Sequence, residues 1–83
     1  MEIVTQQVGD ALEVRAKGRI DNYWTEHLHK NLDEFIRGGA HVIRLNLSEI
    51  VYLSSAGVGM LVLVFRQLKD IGGMLIIASH RTA

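Results

Sequence analysis

The sequence contains no cysteine and no proline among its 83 residues. Without cysteine the chain has no disulfide, no thiolate nucleophile and no cysteine-ligated metal. A small domain without disulfides fits a reducing compartment. An excess of charge is lacking as well, because nine basic and nine acidic residues cancel. This balance gives no indication of nucleic acid as a partner.

Long hydrophobic runs are also lacking. The longest apolar stretch, Met60–Phe65, is far shorter than the ~20 residues that span a bilayer. The N-terminal residues Met1–Gln7 carry no basic cluster and no apolar run, so no signal peptide is expected. We therefore expect a soluble cytoplasmic protein with no membrane contact. Hydrophobic residues still make up 48% of the chain, which is enough for one folded domain over residues 1–83.

Glycine divides the chain into segments of different periodicity. β-Branched residues before Gly9-Asp10 and alternating apolar residues after it predict a β-hairpin. A later segment shows helical spacing and stops at Gly38-Gly39, and a long apolar segment is followed by Gly72-Gly73. The predicted elements are strands over Ile3–Val8 and Ala11–Ala16, a helix over Trp24–Arg37, a strand over His41–Leu47, a helix over Ala56–Asp70 and a strand over Met74–Ala78.

This ββαβαβ order predicts an α/β domain with a mixed four-stranded sheet, whose later strands run parallel through crossover helices. Ser48–Ser55 is predicted to be a connection. Ala56–Asp70 contains enough β-branched residues to pass for a strand, but its length favours a buried helix. Asp21 and Thr25 are both candidates for the residue that caps the first helix.

Most residue types that carry catalysis or bind metals do not form the required patterns. His27 and His29 are two residues apart on a predicted helix and therefore point to different faces. Gly57-Val58-Gly59 resembles the start of a dinucleotide-binding fingerprint, but Val62 occupies the place of its third glycine. We therefore expect no metal site, no cofactor and no enzymatic activity.

Two serines stand where a strand's connection enters the second predicted helix. Ser54 and Ser55 are followed by the small residues Ala56, Gly57 and Gly59. One interpretation is an ordinary helix cap, since serine satisfies an unpaired backbone N–H there. The other is an accessible hydroxyl beside exposed N–H groups, where a helix start stabilises an added phosphate. Composition alone leaves both interpretations open.

Two segments carry a resemblance to a known family. Gly18-Arg19-Ile20-Asp21 and the longer Leu45–Gly59, which reads LNLSEIVYLSSAGVG, resemble the STAS domain, found in bacterial anti-sigma-factor antagonists and in the cytoplasmic tails of sulphate transporters. The resemblance implies a regulatory module that binds an anti-sigma factor with serine kinase activity and so regulates transcription. The alternative within the family is a stressosome-like scaffold subunit or a transporter-tail-like domain without a phosphorylation switch.

The resemblance also implies which residues act. Ser55 matches the family's phosphorylated serine, with Ser54 as the second choice, and a phosphate there is expected near the N–H groups of Gly57 and Val58. The residues implied to bind the partner are Asp21, Asn22, Tyr23, Ser54, Ala56, Gly57, Val58 and Gly59.

Three features depart from the family pattern. Ser54 replaces the acidic residue before the phosphorylated serine, and Asn46 replaces an aspartate near the end of the third strand. The chain ends at Ala83, where family members continue, so we expect the C-terminal helix to be missing. Leu75 and Ile77 should then be exposed, which makes self-association a further expectation.

Overall fold

In the computed structural model, which describes residues 1–79, four strands form one mixed sheet in the order β1-β2-β3-β4. The pair β1/β2 is antiparallel, whereas β2/β3 and β3/β4 are parallel. The ββαβαβ order predicted from the sequence is confirmed. The elements are β1 Glu2–Val8, β2 Ala11–Ile20, α1 Asn22–Arg37, β3 Val42–Leu53, α2 Ser55–Asp70 and β4 Met74–Ala78.

A tight turn joins β1 to β2, as the sequence predicts. Gly9 adopts a φ of 58°, in the left-handed region that favours glycine. The turn sets the pairing of Val8 with Ala11 and of Ile3 with Ala16. Because side chains alternate along a strand, this register directs Ile3, Val14 and Ala16 towards one face of the sheet.

Both helices cover that same face. Crossovers between parallel strands are right-handed, and the chain advances in one direction from β2 through β3 to β4. The helices consequently lie side by side, and Gln67 Nε2 of α2 donates to Asp33 Oδ1 of α1 at 3.0 Å. The largest fully buried side chains between sheet and helices are Ile20, Leu28, Leu32, Ile43, Leu45 and Leu68. Within residues 1–79, no helix is long and apolar enough to cross a membrane.

The opposite face of the sheet carries charge, and no helix of residues 1–79 covers it. Glu13 of β2 is flanked by two arginines, Arg15 at 3.5 Å and Arg44 at 3.3 Å. Arg44 lies directly across from Glu13 in the parallel register. Because these side chains are charged, the middle of this face can remain exposed to water.

The third strand is longer than predicted, and the predicted connection over residues 48–55 is wrong. β3 continues to Leu53 because it accommodates extra residues opposite β2. The register passes from Arg15↔Asn46 to Lys17↔Glu49, so three steps along β3 match two along β2. The side chain of Asn46 spans this bulge.

Two hydrogen bonds hold the bulge together. Asn46 Oδ1 accepts from Ser48 N at 3.0 Å and from Ser48 Oγ at 2.7 Å. A second shift follows, from Gly18↔Ile50 to Arg19↔Tyr52, where the Arg19 guanidinium lies 4.5 Å from the centre of the Tyr52 ring. Ser48, the first residue of the predicted connection, is thus part of a strand irregularity.

The expectation of exposed residues on the last strand is correct for Ile77 and wrong for Leu75. Leu75 is buried under α2, whereas Ile77 is 47% exposed. Both occupy the helix-covered face, but Ile77 lies further along β4. The expected absence of a C-terminal helix concerns the chain from residue 80 onwards, which lies outside the described residues.

The bulge gives a test of the fold. Asn46→Ala removes the acceptor of both hydrogen bonds and should lower the free energy of unfolding by about 1–2 kcal/mol. Asn46→Asp keeps an acceptor oxygen in the same place, so it should stay within about 0.5 kcal/mol of the parent. Urea unfolding followed by circular dichroism measures both values. Equal losses for the two variants would show that the acceptor does not hold the bulge.

Candidate functional site

The two helices begin next to each other at one end of the sheet. Asp21 follows β2 and Ser54 follows β3, and these neighbouring parallel strands end at the same edge. The backbone joins them directly, because Ser54 N donates to the carbonyl oxygen of Ile20 at 2.9 Å. The end of β3 is thereby fixed against the end of β2.

Each helix is capped by its own side chain. Asp21 Oδ1 accepts from Trp24 N at 2.9 Å, which makes Asp21 the N-cap of α1. Ser54 Oγ accepts from Gly57 N at 3.1 Å, which makes Ser54 the N-cap of α2. Of the two residues proposed from the sequence to cap α1, Asp21 is the one that does so.

Thr25 connects the two caps. Its hydroxyl donates to the carbonyl oxygen of Asp21 at 2.7 Å and lies 3.5 Å from Ser54 Oγ. Thr25 and Ser54 are both buried, and they are the two buried polar residues of the described chain. A buried polar group is stable only when it is hydrogen-bonded. The two hydroxyls therefore fix the helix starts relative to each other.

Gly57 lets α2 pack closely on the sheet at this junction, where a larger residue would have to displace the Leu53 side chain. A Cβ at position 57 would lie 2.6 Å from Leu53 Cδ1 and 3.1 Å from Ile20 Cγ2. A Cβ at Gly59, by contrast, would meet nothing within 4 Å. Gly57 thus permits close packing of α2 on the sheet. Gly59 leaves its position on the outer surface of the helix without a side chain.

The structure divides the residues singled out from the sequence into two groups. Ser54 and Gly57 are buried and Asp21 is partly buried, and all three hold the helix starts in place. The others lie at the surface, at the starts of α1 and α2. We call this exposed group the helix-start surface; it consists of Asn22, Tyr23, Ser55, Ala56, Val58 and Gly59.

An aromatic cluster that the sequence analysis missed adjoins this surface. Tyr23 packs edge-on against Trp24 with ring centres 5.1 Å apart. His27 lies against both rings, and its Nε2 is 3.2 Å from the Tyr23 hydroxyl. The spacing of Tyr23 and His27, four residues apart on a helix, was the available signal. Tyr23 is 64% exposed, so the cluster presents aromatic surface to solvent.

The rest of the described chain offers depressions but no ligand cluster. A shallow depression of about 400 Å³ lies at the opposite end of the sheet, lined by residues that include Gln7, Asp10 and Glu34. Within residues 1–79, no group of three or more His, Asp or Glu side chains is spaced to hold a metal ion. The helix starts are therefore the part of the molecule where the chemistry suggested by the sequence is concentrated.

Comparison with known proteins identifies the family. The family model of the STAS domain matches residues 2–83 of this chain. The chain belongs to the STAS domain family.

Solved structures share this STAS fold. The anti-sigma factor antagonist SpoIIAA in its unphosphorylated form has a TM-score of 0.80 at 22% identity, over 98% of this chain and 76% of that one. The Bacillus cell fate determinant SpoIIAA in its phosphorylated form has a TM-score of 0.75 at 23% identity, over 90% and 69%. An anti-sigma factor antagonist from Mycobacterium paratuberculosis has a TM-score of 0.84 at 16% identity, over 96% and 68%.

The two adjacent serines should respond differently to truncation. Ser54→Ala removes a helix cap and leaves a buried N–H without its partner, so it should lower the free energy of unfolding by about 1–2 kcal/mol. Ser55→Ala, on the exposed first turn, should change it by less than about 0.5 kcal/mol. Thermal and urea unfolding of both variants provide the measurement. A larger loss for Ser55→Ala would contradict this division of roles.

Proposed function

We propose that this STAS domain is an anti-sigma-factor antagonist that binds an anti-sigma factor with serine kinase activity and is switched by phosphorylation of Ser55. The observation that carries the proposal is the contrast between the two serines. Ser55 is exposed at the first position of α2, whereas the hydroxyl of Ser54 is buried and bonded. A kinase needs a hydroxyl that can enter its active site, and Ser55 meets this requirement.

The reaction would take place in the kinase. Ser55 Oγ attacks the γ-phosphorus of ATP held by the partner, an O–P bond forms, and the bond to the leaving ADP breaks. The hydroxyl proton passes to a base on the kinase. The STAS domain supplies only the acceptor, so this function requires no catalytic residue of its own. Since ATP is an intracellular substrate, the proposed place of action is the cytoplasm.

The fold can tolerate a phosphate at this position. The start of α2 carries the positive end of the helix dipole, and its first turn contains no acidic residue that would repel the group. The N–H groups of Gly57 and Val58 are already bonded to Ser54, at 3.1 and 3.0 Å. Because those two groups are occupied, we propose that a phosphate on Ser55 lies closer to the N–H groups of Ser55 and Ala56, which helices leave unpaired.

A phosphate on Ser55 would act on the binding of the partner. Ala56, Val58 and Gly59 surround Ser55 on the exposed turn and carry no charge. A partner that packs on these small side chains must cover the serine as well. The phosphate adds about −1.5 to −2 charges, and burying it without matching donors costs several kcal/mol. Loss of this amount would weaken the complex by two or more orders of magnitude.

The structural relatives agree with this mechanism. SpoIIAA has the same fold and has been solved both unphosphorylated and phosphorylated. For this chain, the hydroxyl in the equivalent proposed role is that of Ser55. Asp21, Asn22 and Tyr23 extend the proposed contact to the start of α1, because the two helix starts adjoin.

The choice of serine can be tested without knowing the kinase. Phosphoserine placed at position 55 during synthesis should leave the fold intact, with a melting temperature within a few degrees of the parent. Phosphoserine at position 54 should unfold the domain or lower its stability by more than 2 kcal/mol, because a buried cap has no room or solvent for the charge. Similar stability of the two modified proteins would contradict the assignment.

The kinase step follows as a second measurement. Anti-sigma factor kinases from the same genome are incubated with ATP and either the parent, Ser54→Ala or Ser55→Ala. Phosphate should appear on the parent and on Ser54→Ala, and mass spectrometry should locate it at position 55. Phosphate on Ser54 alone would refute the proposal, and phosphate on neither serine would favour a scaffold role.

The partner surface is tested by a charge at Val58. Val58→Glu should weaken binding to the anti-sigma factor about ten-fold or more, since Val58 is half exposed beside Ser55. The matched control is Leu63→Glu, a similarly exposed apolar residue of the same helix outside the helix-start surface. Asp21→Lys is unsuitable here, because Asp21 caps α1 and its replacement should destabilise the fold. Equal effects of the two glutamates on affinity would overturn the assigned surface.

A further inference from the structure

The buried hydroxyl of Ser54 has one proton of its own to donate, besides the bonds that it can accept. It accepts from the N–H of Gly57 at 3.1 Å, which is the cap of α2. Its own proton needs a separate acceptor, because Ser54 is 7% exposed and a buried donor is normally paired. Within residues 1–79, the remaining hydrogen-bond contact of Ser54 Oγ is Thr25 Oγ1, at 3.5 Å. The placement of the Ser54 proton therefore depends on Thr25.

The proton of Thr25 is already used in another bond. Its hydroxyl lies 2.7 Å from the carbonyl oxygen of Asp21, and a carbonyl oxygen can only accept. Because a hydroxyl has a single proton, Thr25 cannot also donate to Ser54. In the 3.5 Å contact the donor is therefore Ser54 and the acceptor is Thr25 Oγ1. The bonds thus run in one direction, from the start of α2 through the two hydroxyls to the carbonyl oxygen of Asp21.

The acceptor oxygen of Thr25 is held in place by its own helix. Threonine is stiff at χ1, and in a helix its hydroxyl commonly bonds the carbonyl oxygen one turn earlier, as Thr25 does. Thr25 is also 8% exposed, so its oxygen is largely shielded from solvent. Gly57 leaves room for the contact, because a Cβ there would lie 3.4 Å from Thr25 Oγ1. The position of the acceptor is therefore set by α1.

We propose that Thr25 is the positioning residue of the serine pair, which holds the hydroxyl of Ser54 inward and so leaves Ser55 as the hydroxyl that a kinase can reach. Thr25 acts only through Ser54 and need not contact the kinase or ATP. Without the Thr25 oxygen, the Ser54 proton has no acceptor in its present position, and the hydroxyl must turn outward to water. The choice between the two serines as phosphate acceptor rests on the proposed function, whereas the inward position of Ser54 does not.

The length of the contact indicates how strongly Ser54 is held. Optimal O–H···O bonds measure roughly 2.5–3.0 Å, so the 3.5 Å contact is a weak bond. Its removal matters nevertheless, because a buried donor left without any acceptor costs more free energy than the bond itself contributes. A loss of this size changes an equilibrium about ten-fold. The balance between the inward and outward positions of Ser54 should therefore respond measurably to one substitution at position 25.

Hydrogen exchange at the amide of Gly57 reports the position of Ser54 without any kinase, because the Ser54 hydroxyl holds this N–H. Thr25→Val keeps the shape of the side chain and removes its oxygen, so exchange at Gly57 should become about ten-fold faster. The amide of Val58 is an internal reference, since it donates to the backbone carbonyl oxygen of Ser54 and not to the hydroxyl. Its exchange rate should change by less than about two-fold. Two-dimensional NMR measures both rates in the same sample.

Two further variants separate this role from packing. Thr25→Ser retains the oxygen and should keep the parental exchange rate at Gly57. Ile36→Val removes one buried methyl group at the far end of α1, so it should leave the ratio of the Gly57 and Val58 rates unchanged. Thr25→Ala lacks the same oxygen and replaces Thr25→Val if that variant does not fold. A parental rate at Gly57 without the oxygen, or a fast rate in Thr25→Ser, would overturn the proposal.

The site of phosphorylation gives the second test. With an anti-sigma factor kinase and ATP, the parent should carry phosphate on Ser55, and in Thr25→Val the fraction on Ser54 should rise about ten-fold by mass spectrometry. Thr25→Ser should again match the parent. Phosphate that stays confined to Ser55 in Thr25→Val would refute the role of Thr25 in selecting the serine. Failure of the proposed function has a different signature, because no kinase then labels the parent while the exchange rates at Gly57 still decide whether Thr25 holds Ser54.

Discussion

The buried hydroxyl of Ser54 is the contact on which the functional end of the molecule depends. It caps α2 through Gly57 N and lies beside Thr25, while its backbone N–H holds the end of β2. Through Thr25 the same group is linked to the start of α1. Strand ends and helix starts are thus joined by a few hydrogen bonds between buried groups. These hydrogen bonds therefore also fix the positions of the exposed residues around the junction.

This junction explains why the two neighbouring serines differ in burial. Successive residues at a helix start point in directions about 100° apart, so when Ser54 turns inward, Ser55 must turn outward. A residue that fixes the structure and a residue that is free to react can then stand next to each other. In the proposed switch, modification of the outer hydroxyl would add charge to the surface while the inner hydroxyl keeps the helix in place. The two proposed states would therefore share one fold.

Local signals in the sequence were sufficient to predict most of the helices and strands, but not the second half of β3. The hairpin at Gly9, the first helix and β4 follow from periodicity and turn residues, and the second helix follows from its length. The second half of β3 does not, because its bulges depend on pairing with β2 and on a bond from Asn46 to Ser48. Sequence pattern also located the serine pair but could not tell which hydroxyl is buried. That depends on Ile20 and Thr25, which are distant in sequence and contact Ser54 only after folding.

The polar composition of β1 determines how that edge of the sheet behaves in water. β1 reads Glu-Ile-Val-Thr-Gln-Gln-Val and carries one acidic and three other polar residues. Polar and charged side chains on an edge strand discourage pairing with a strand of another molecule. The composition of the first seven-residue strand thereby protects this side of the sheet from strand-to-strand aggregation.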